Sequence, residues 1–190
     1  MRGEEYERTG VNPLCALKKM IYPIVKYGQP VLEQRAQEIT DFGTPELLQL
    51  IEDMFESMYA AKGVGLAAPQ IGVGQRIAVI DTSTGEDPDQ RLVLVNPEIV
   101  AVEGTQTGEE GCLSLPSFRE QVTRGKKVTV RARDQLGKQW ERTGEDLLAR
   151  AFLHETDHLN GTLYISHISP LKRDLIRRKI RKLQKADEWS

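Results

Sequence analysis

The segment His154-Glu155-Thr156-Asp157-His158 constrains this chain more than any other five residues in it. Side chains four apart on an α-helix share a face, so a helix here brings both imidazoles to one cation. Glu155 sits about 100° further round. From there its carboxylate reaches a water held on that ion and serves as general base. The helix must also lie in the interior, because Phe152, Leu153 and Leu159 flank the string and would exclude bulk water. Asp157 reads either as an acceptor that fixes an imidazole tautomer or as an ordinary helix charge. The chain holds 3 histidines. The third, His167, follows this helix near the start of the next, which is a poor place for a ligand.

A catalytic site of this kind wants three protein ligands and one open position. Cys112, in the segment Glu109-Glu110-Gly111-Cys112-Leu113-Ser114-Leu115-Pro116, is the strongest candidate for the third, since a thiolate is a soft, tight ligand. A lone cysteine is otherwise a small buried apolar residue. A Cys15–Cys112 disulfide is the alternative use of the only 2 cysteines. The acidic N-terminus lacks the basic-then-apolar pattern of a secretory signal, so a reducing cytoplasm is expected and the disulfide is disfavoured. Residues 63–70, Gly-Val-Gly-Leu-Ala-Ala-Pro-Gln, read as a loop. Beside a metal centre, such a loop would let a peptide pair with backbone groups, and Gln70 would donate to a developing oxyanion.

The 190 residues suit one domain with a real core, and 28% charged side chains mark an ordinary globular composition. A net charge of −2 argues against a dedicated DNA binder, and no run approaches the ~20 apolar residues of a membrane span. Thr44 and Pro45 open a helix carrying Leu47, Leu48, Ile51, Met54, Phe55 and Met58 at helical spacing, ending near Ala61–Lys62. Short strands are expected at 76–81, 91–96, 99–103, 118–122, 126–133 and 138–141. A second helix should open at Thr143 or Gly144 and stop at Asn160-Gly161. A third should open at Ser169-Pro170. The fold class is α+β: a single domain of short, mostly antiparallel strands around a central metal-binding helix, with a C-terminal helix. Residues 1–19 read as an extension, disordered or preceding a true start at Met20; 20–168 as the catalytic domain; 169–190 as a basic amphipathic helix.

Three segments in this order, GVGLAAPQIG, EEGCLSLP and HETDH, resemble the peptide deformylase family, and the resemblance spans the chain from Met20 onward. It implies a hydrolase that removes the formyl group from the N-terminal formylmethionine of nascent polypeptides. It also implies one divalent metal ion, Fe(II) first, with Zn, Ni or Co as substitutes, held by Cys112, His154 and His158. Glu155 would act as base and acid, with Gln70 and the backbone N–H of Leu113 as oxyanion donors. Gly65 and Arg119 would hold the peptide backbone. Val64, Leu147 and Ala151 would line the methionine pocket, and Arg150 would stand at its edge where some relatives carry an apolar residue.

Two rivals use the same helix: a small zinc endopeptidase with another third ligand, and a non-catalytic metal-binding module in which Glu155 is incidental. The tail from Ser169 to Ser190 holds 8 Lys/Arg against 3 Asp/Glu. Leu171, Leu175, Ile176, Ile180 and Leu183 give it one apolar face. It reads as a solvated surface helix or, as longer relatives suggest, as an electrostatic dock on ribosomal RNA.

Overall fold

Thr44 opens the first helix as expected: its Oγ1 accepts the N–H of Leu47 at 3.2 Å, and Pro45 takes the first helical position. This helix, α1 (Pro45–Ala60), buries Leu47, Ile51, Met54, Phe55 and Met58. It belongs to a computed structural model that describes residues 19–189. The expectations for residues 1–18, Cys15 among them, lie outside the described residues.

The strands are β1 (Gly65–Ala67), β2 (Ile77–Ile80), β3 (Leu92–Glu103), β4 (Gln106–Cys112), β5 (Leu115–Arg124), β6 (Lys127–Arg133) and β7 (Gln139–Glu145). Five of them form one antiparallel sheet in the order β1-β2-β3-β6-β7, while β4 and β5 pair as a separate hairpin. Helices α2 (Asp146–Leu159) and α3 (Pro170–Lys185) complete the chain.

β2 shows how the layers stack. All four of its residues are buried. Ile77 and Val79 meet α1, while Ala78 and Ile80 face the opposite way, into a core with Ala149, Phe152 and Leu159 of α2. A strand covered on both faces reads as an unbroken apolar run, and β2 does. The sheet therefore lies between α1 and α2, and α2 becomes the central helix that its metal-binding string requires. A third core, containing Ile176 and Ile180 of α3 with Leu115, Val122, Leu163 and Tyr164, anchors the C-terminal helix against the β4–β5 hairpin.

Several boundaries differ from the sequence expectation. Strands 91–96 and 99–103 are one strand, β3, whose pairing with β6 shifts register between Val95 and Glu98. Pro97 has no N–H for a ladder and sits in that irregularity, where a proline is tolerated. Gly65–Ala67, expected as loop, pairs with Ala78–Ile80. β4 was not anticipated, because Gln-Thr-Gly-Glu-Glu-Gly-Cys carries almost no β-branched or aromatic side chain. β7 runs four residues further than expected and leads straight into α2, so that helix opens at Asp146 rather than at Thr143 or Gly144. The tie is visible in the ladder: Thr143 pairs with Thr129 and Gly144 with Val128, leaving neither free for a helix.

Candidate metal centre and active site

The one-face geometry expected of α2 is present. The rings of His154 and His158 lie 5.0 Å apart between centroids, inclined at 75°. Cys112 ends β4 and brings its Sγ to 3.2 Å from Nε2 of His158. One ligand atom from each of Cys112, His154 and His158 falls within 4.8 Å of the other two, and all three residues are buried. Sulfur with two imidazole nitrogens is a donor set for zinc, iron, nickel or cobalt rather than for calcium or magnesium. His167 takes no part in the group; its Nε2 lies 2.8 Å from Oδ2 of Asp157.

A carboxylate orients the first ligand, though not the one anticipated. Oε2 of Glu110 lies 3.3 Å from Nδ1 of His154. Burial alone would raise the Glu110 pKa, but hydrogen bonds from His154 and Arg124 hold it far below the usual carboxylate range. An ionised Glu110 only accepts, so Nδ1–H donates to it and Nε2 is left free for a metal. Asp157 instead accepts from Nη1 of Arg124 at 2.7 Å and pairs with His167, so it orients neither ligand ring. Tyr164 adds a second support, stacked on His154 at 6.3 Å and 19°. Glu110, Arg124 and Tyr164 escaped the sequence reading; the alternation of β4, which turns Glu110 and Cys112 to one side, is the signal that locates the first of them.

Glu155 is buried, and its Oε2 has no hydrogen-bond partner among the described residues. Burial pushes its pKa up to about 7; the positive charge of His154 opposes this, while Asp157 and Glu110 add to it. Burial also lowers His158 well below its ordinary value, with His154 reinforcing the shift. In His154 burial again disfavours the charge, but Cys112 and Glu110 outweigh it and the pKa rises. Gly65 makes room for the general-base candidate: a Cβ there would lie 2.9 Å from Cδ of Glu155. Gln70 is turned as an amide donor must be. Its Oε1 accepts the N–H of Ala67 at 2.9 Å, which leaves Nε2 facing Cys112 Sγ at 3.5 Å and Ser114 Oγ at 3.4 Å.

These groups open onto a cleft of about 450 Å³ lined by Val64, Gly65, Gln70, Cys112, Leu113, Arg119, Leu147, Arg150, Ala151, His154 and Glu155 among others. Every residue that the family resemblance assigns to the site is therefore in the cleft or in the ligand group. Two behave differently from expectation. Arg119 is largely exposed and lies 3.2 Å from Glu109 across the hairpin. Arg150 turns inward, and its Nη1 donates to Glu110 Oε1 at 2.6 Å and to Val122 O at 3.2 Å. A second hollow, of about 560 Å³, lies between α1 and the sheet and is lined by Leu48, Phe55, Arg91 and Trp140 among others; it holds none of the ligand group.

Residues 21–174 match the model of the polypeptide deformylase family. A peptide deformylase of Acidobacterium capsulatum is 60% identical over 170 residues, covering 90% of this chain and 99% of that protein. One from Thermodesulfovibrio yellowstonii is 48% identical over 161 residues, 85% of this chain and 97% of the relative. Among solved structures, a peptide deformylase from Legionella pneumophila superposes with TM-score 0.81 at 45% identity, covering 90% of this chain and 99% of its own. A Met-Ala-Ser-bound peptide deformylase from Acinetobacter baumannii gives 0.74 at 32% identity, covering 79% of this chain and 99% of its own.

Proposed function

The chain belongs to the peptide deformylase family, and from that premise we propose how its own residues carry out the family's reaction, removal of the formyl group from formylmethionyl peptides. The observation that carries this reading is the gathering of Cys112, His154 and His158 beside the unpartnered Oε2 of Glu155. Cys112 Sγ and one ring nitrogen each of His154 and His158 would hold a single divalent metal, whose charge would polarise water and carbonyl and bring the water's pKa toward neutrality. Glu155 takes a proton from the attacking water at its free oxygen. The new C–O bond forms at the formyl carbon, and the charge that develops on the formyl oxygen is met by Gln70 Nε2 and the backbone N–H of Leu113. Glu155 then gives the proton to the leaving amine as the C–N bond breaks, releasing formate and a free N-terminus.

The peptide backbone follows Gly65 and Arg119. The first side chain enters between Val64, Leu147 and Ala151, with Arg150 at the pocket edge. The Met-Ala-Ser peptide seen in the Acinetobacter baumannii relative supports a methionine-led peptide as occupant. Fe(II) as the working metal follows from the family resemblance, and the same sulfur-and-imidazole donor set accepts Zn, Ni or Co. An endopeptidase reading finds no support in a third ligand other than Cys112, and the buried, unpartnered Glu155 speaks against a passive metal module.

The natural setting follows from the substrate: nascent chains in the cytoplasm. No helix among the described residues is long and apolar enough to cross a membrane. The exposed Arg178, Lys179, Arg181, Lys182 and Lys185 of α3 form a cationic face suited to ribosomal RNA near an emerging chain. The test of the activity is anaerobic purification, a metal count, and formate release from formyl-Met-Ala-Ser. One metal per chain with formate release is the expected result; cleavage inside unformylated peptides with no formate would contradict it.

A further inference from the structure

Strand β4 and helix α2 pass one another with nearly matching repeats. Two residues along a strand advance about 6.7 Å, and four residues along a helix advance about 6 Å. Alternate residues of β4 therefore meet successive turns of α2. Cys112 meets the turn from His154 to His158, with Sγ 3.2 Å from Nε2 of His158. Two residues earlier, Glu110 meets the turn from Arg150 to His154; its Oε1 accepts Arg150 Nη1 at 2.6 Å, and its Oε2 lies 3.3 Å from His154 Nδ1. Two residues earlier again, a Cβ on Gly108 would lie 3.1 Å from Nη2 of Arg150. The Arg150–Glu110–His154 rung thus repeats, one turn up, the rung made by His154, Cys112 and His158.

The mechanical setting makes that rung necessary. Cys112 stands at the tip of a hairpin outside the five-stranded sheet, and only short turns at its opposite end, residues 104–105 and 125–126, join it to that sheet. Among the described residues, β4 pairs only with β5, so no ladder sets the distance from Cys112 to α2. Side chains must do so. Arg124 forms a two-pronged pair with Glu110, at 2.8 and 3.0 Å, and reaches Asp157 at 2.7 Å, but it lies at the attached end of the hairpin. It already balances the charge of Glu110, so neutralisation does not call for a second guanidinium. The bond from Tyr27 N–H to Ser114 O, 2.8 Å, holds the tip against the N-terminal segment rather than against α2.

We propose that Arg150 is a positioning residue for the metal centre: by holding Glu110 across one turn of α2 it sets the distance from Cys112 to the two histidines. The proposal rests on the metal-dependent reading above. It gives Arg150 a task beyond the edge of the substrate pocket, since its shortest bond is to the carboxylate that also orients His154.

The test uses the full chain loaded with cobalt(II). R150M keeps the stem and loses the guanidinium. It should release cobalt to EDTA about ten-fold faster than wild type, the lower end of what losing a ligand's supporting partner does. The sulfur-to-cobalt absorption band should shift, and kcat should fall with KM little changed. R150K, which keeps the charge without the fork, should recover part of the loss. Unchanged cobalt release with a raised KM would make Arg150 a pocket wall only and overturn the proposal. Unchanged release with a lower melting temperature of the metal-free protein would make it merely structural and overturn it equally. If R150M does not fold, G108V takes its place, because a branched side chain there pushes Nη2 aside; faster release supports the proposal and the wild-type rate refutes it. Formate release by wild type is measured alongside. Its absence strikes the proposed function, while the cobalt comparison still judges Arg150.

Discussion

α2 and α3 are helices of 14 and 16 residues, both with one apolar side, and they do opposite things with their charges. α2 lies between the five-stranded sheet and the hairpin, and seven of its residues are buried, including Glu155 and His158. α3 buries only Ile176 and Ile180 and leaves most of its Lys and Arg in water. Burial, not residue type, separates a reactive group from a solvated one. A carboxylate on α2 is pushed up to about 7 chiefly by desolvation, whereas charges on an exposed helix are screened within roughly 10 Å.

The contrast is sharpest at Glu155. E155Q should leave one metal per chain and lower kcat by about 10³-fold or more, within the range of a lost general base. Formate release decides the point, and turnover near the wild-type rate would break the contrast at its strongest place. On α3 the equivalent large effect is on stability. I180A empties a buried site and should cost about 2–5 kcal/mol in denaturant unfolding, with kcat per folded molecule unchanged. G65A tests the space reserved for the base: displacing Glu155 by even ~1 Å should lower kcat about 10²-fold, and a fully active variant would show that Gly65 serves only the turn.

A smaller effect separates the two helices by pH. The folded pKa of Glu155, about 7, lies above its unfolded value. In the metal-free protein the associated stability is therefore present at low pH and lost as pH rises through 7. E155Q removes that loss, so its metal-free melting temperature should exceed wild type at pH 8 and match it at pH 4. Equal melting temperatures at both would mean the carboxyl is not desolvated. Smallest of all, R178A with R181A on α3 should change stability by no more than about 0.5 kcal/mol and leave formate release untouched. Weaker, salt-sensitive binding to ribosomes is the effect expected of that pair.

What could be read in the sequence followed the same division. The α1 cap at Thr44, the ligand face of α2 and the Ser169 start of α3 are local patterns, with period, capping residue and spacing all within a few residues, and each is where the pattern put it. β4 was illegible because its residues have low strand propensity and its pairing with β5 is decided by partners up to eighteen residues away. The Glu110–Arg124–Asp157 array was missed for the same reason: each member looks like a surface charge until the hairpin closes over α2. Arg150, which resemblance places at a pocket edge, shows that a residue's neighbour in space can outrank its position on a helix face.

Every step proposed above depends on a metal held by one sulfur and two imidazole nitrogens. X-ray absorption on zinc-loaded protein measures this directly. The spectrum should show one sulfur scatterer at ~2.3 Å and two nitrogens at about 2.0–2.1 Å, with the sulfur signal lost in C112A. A first shell without sulfur, or one that C112A leaves intact, would contradict it.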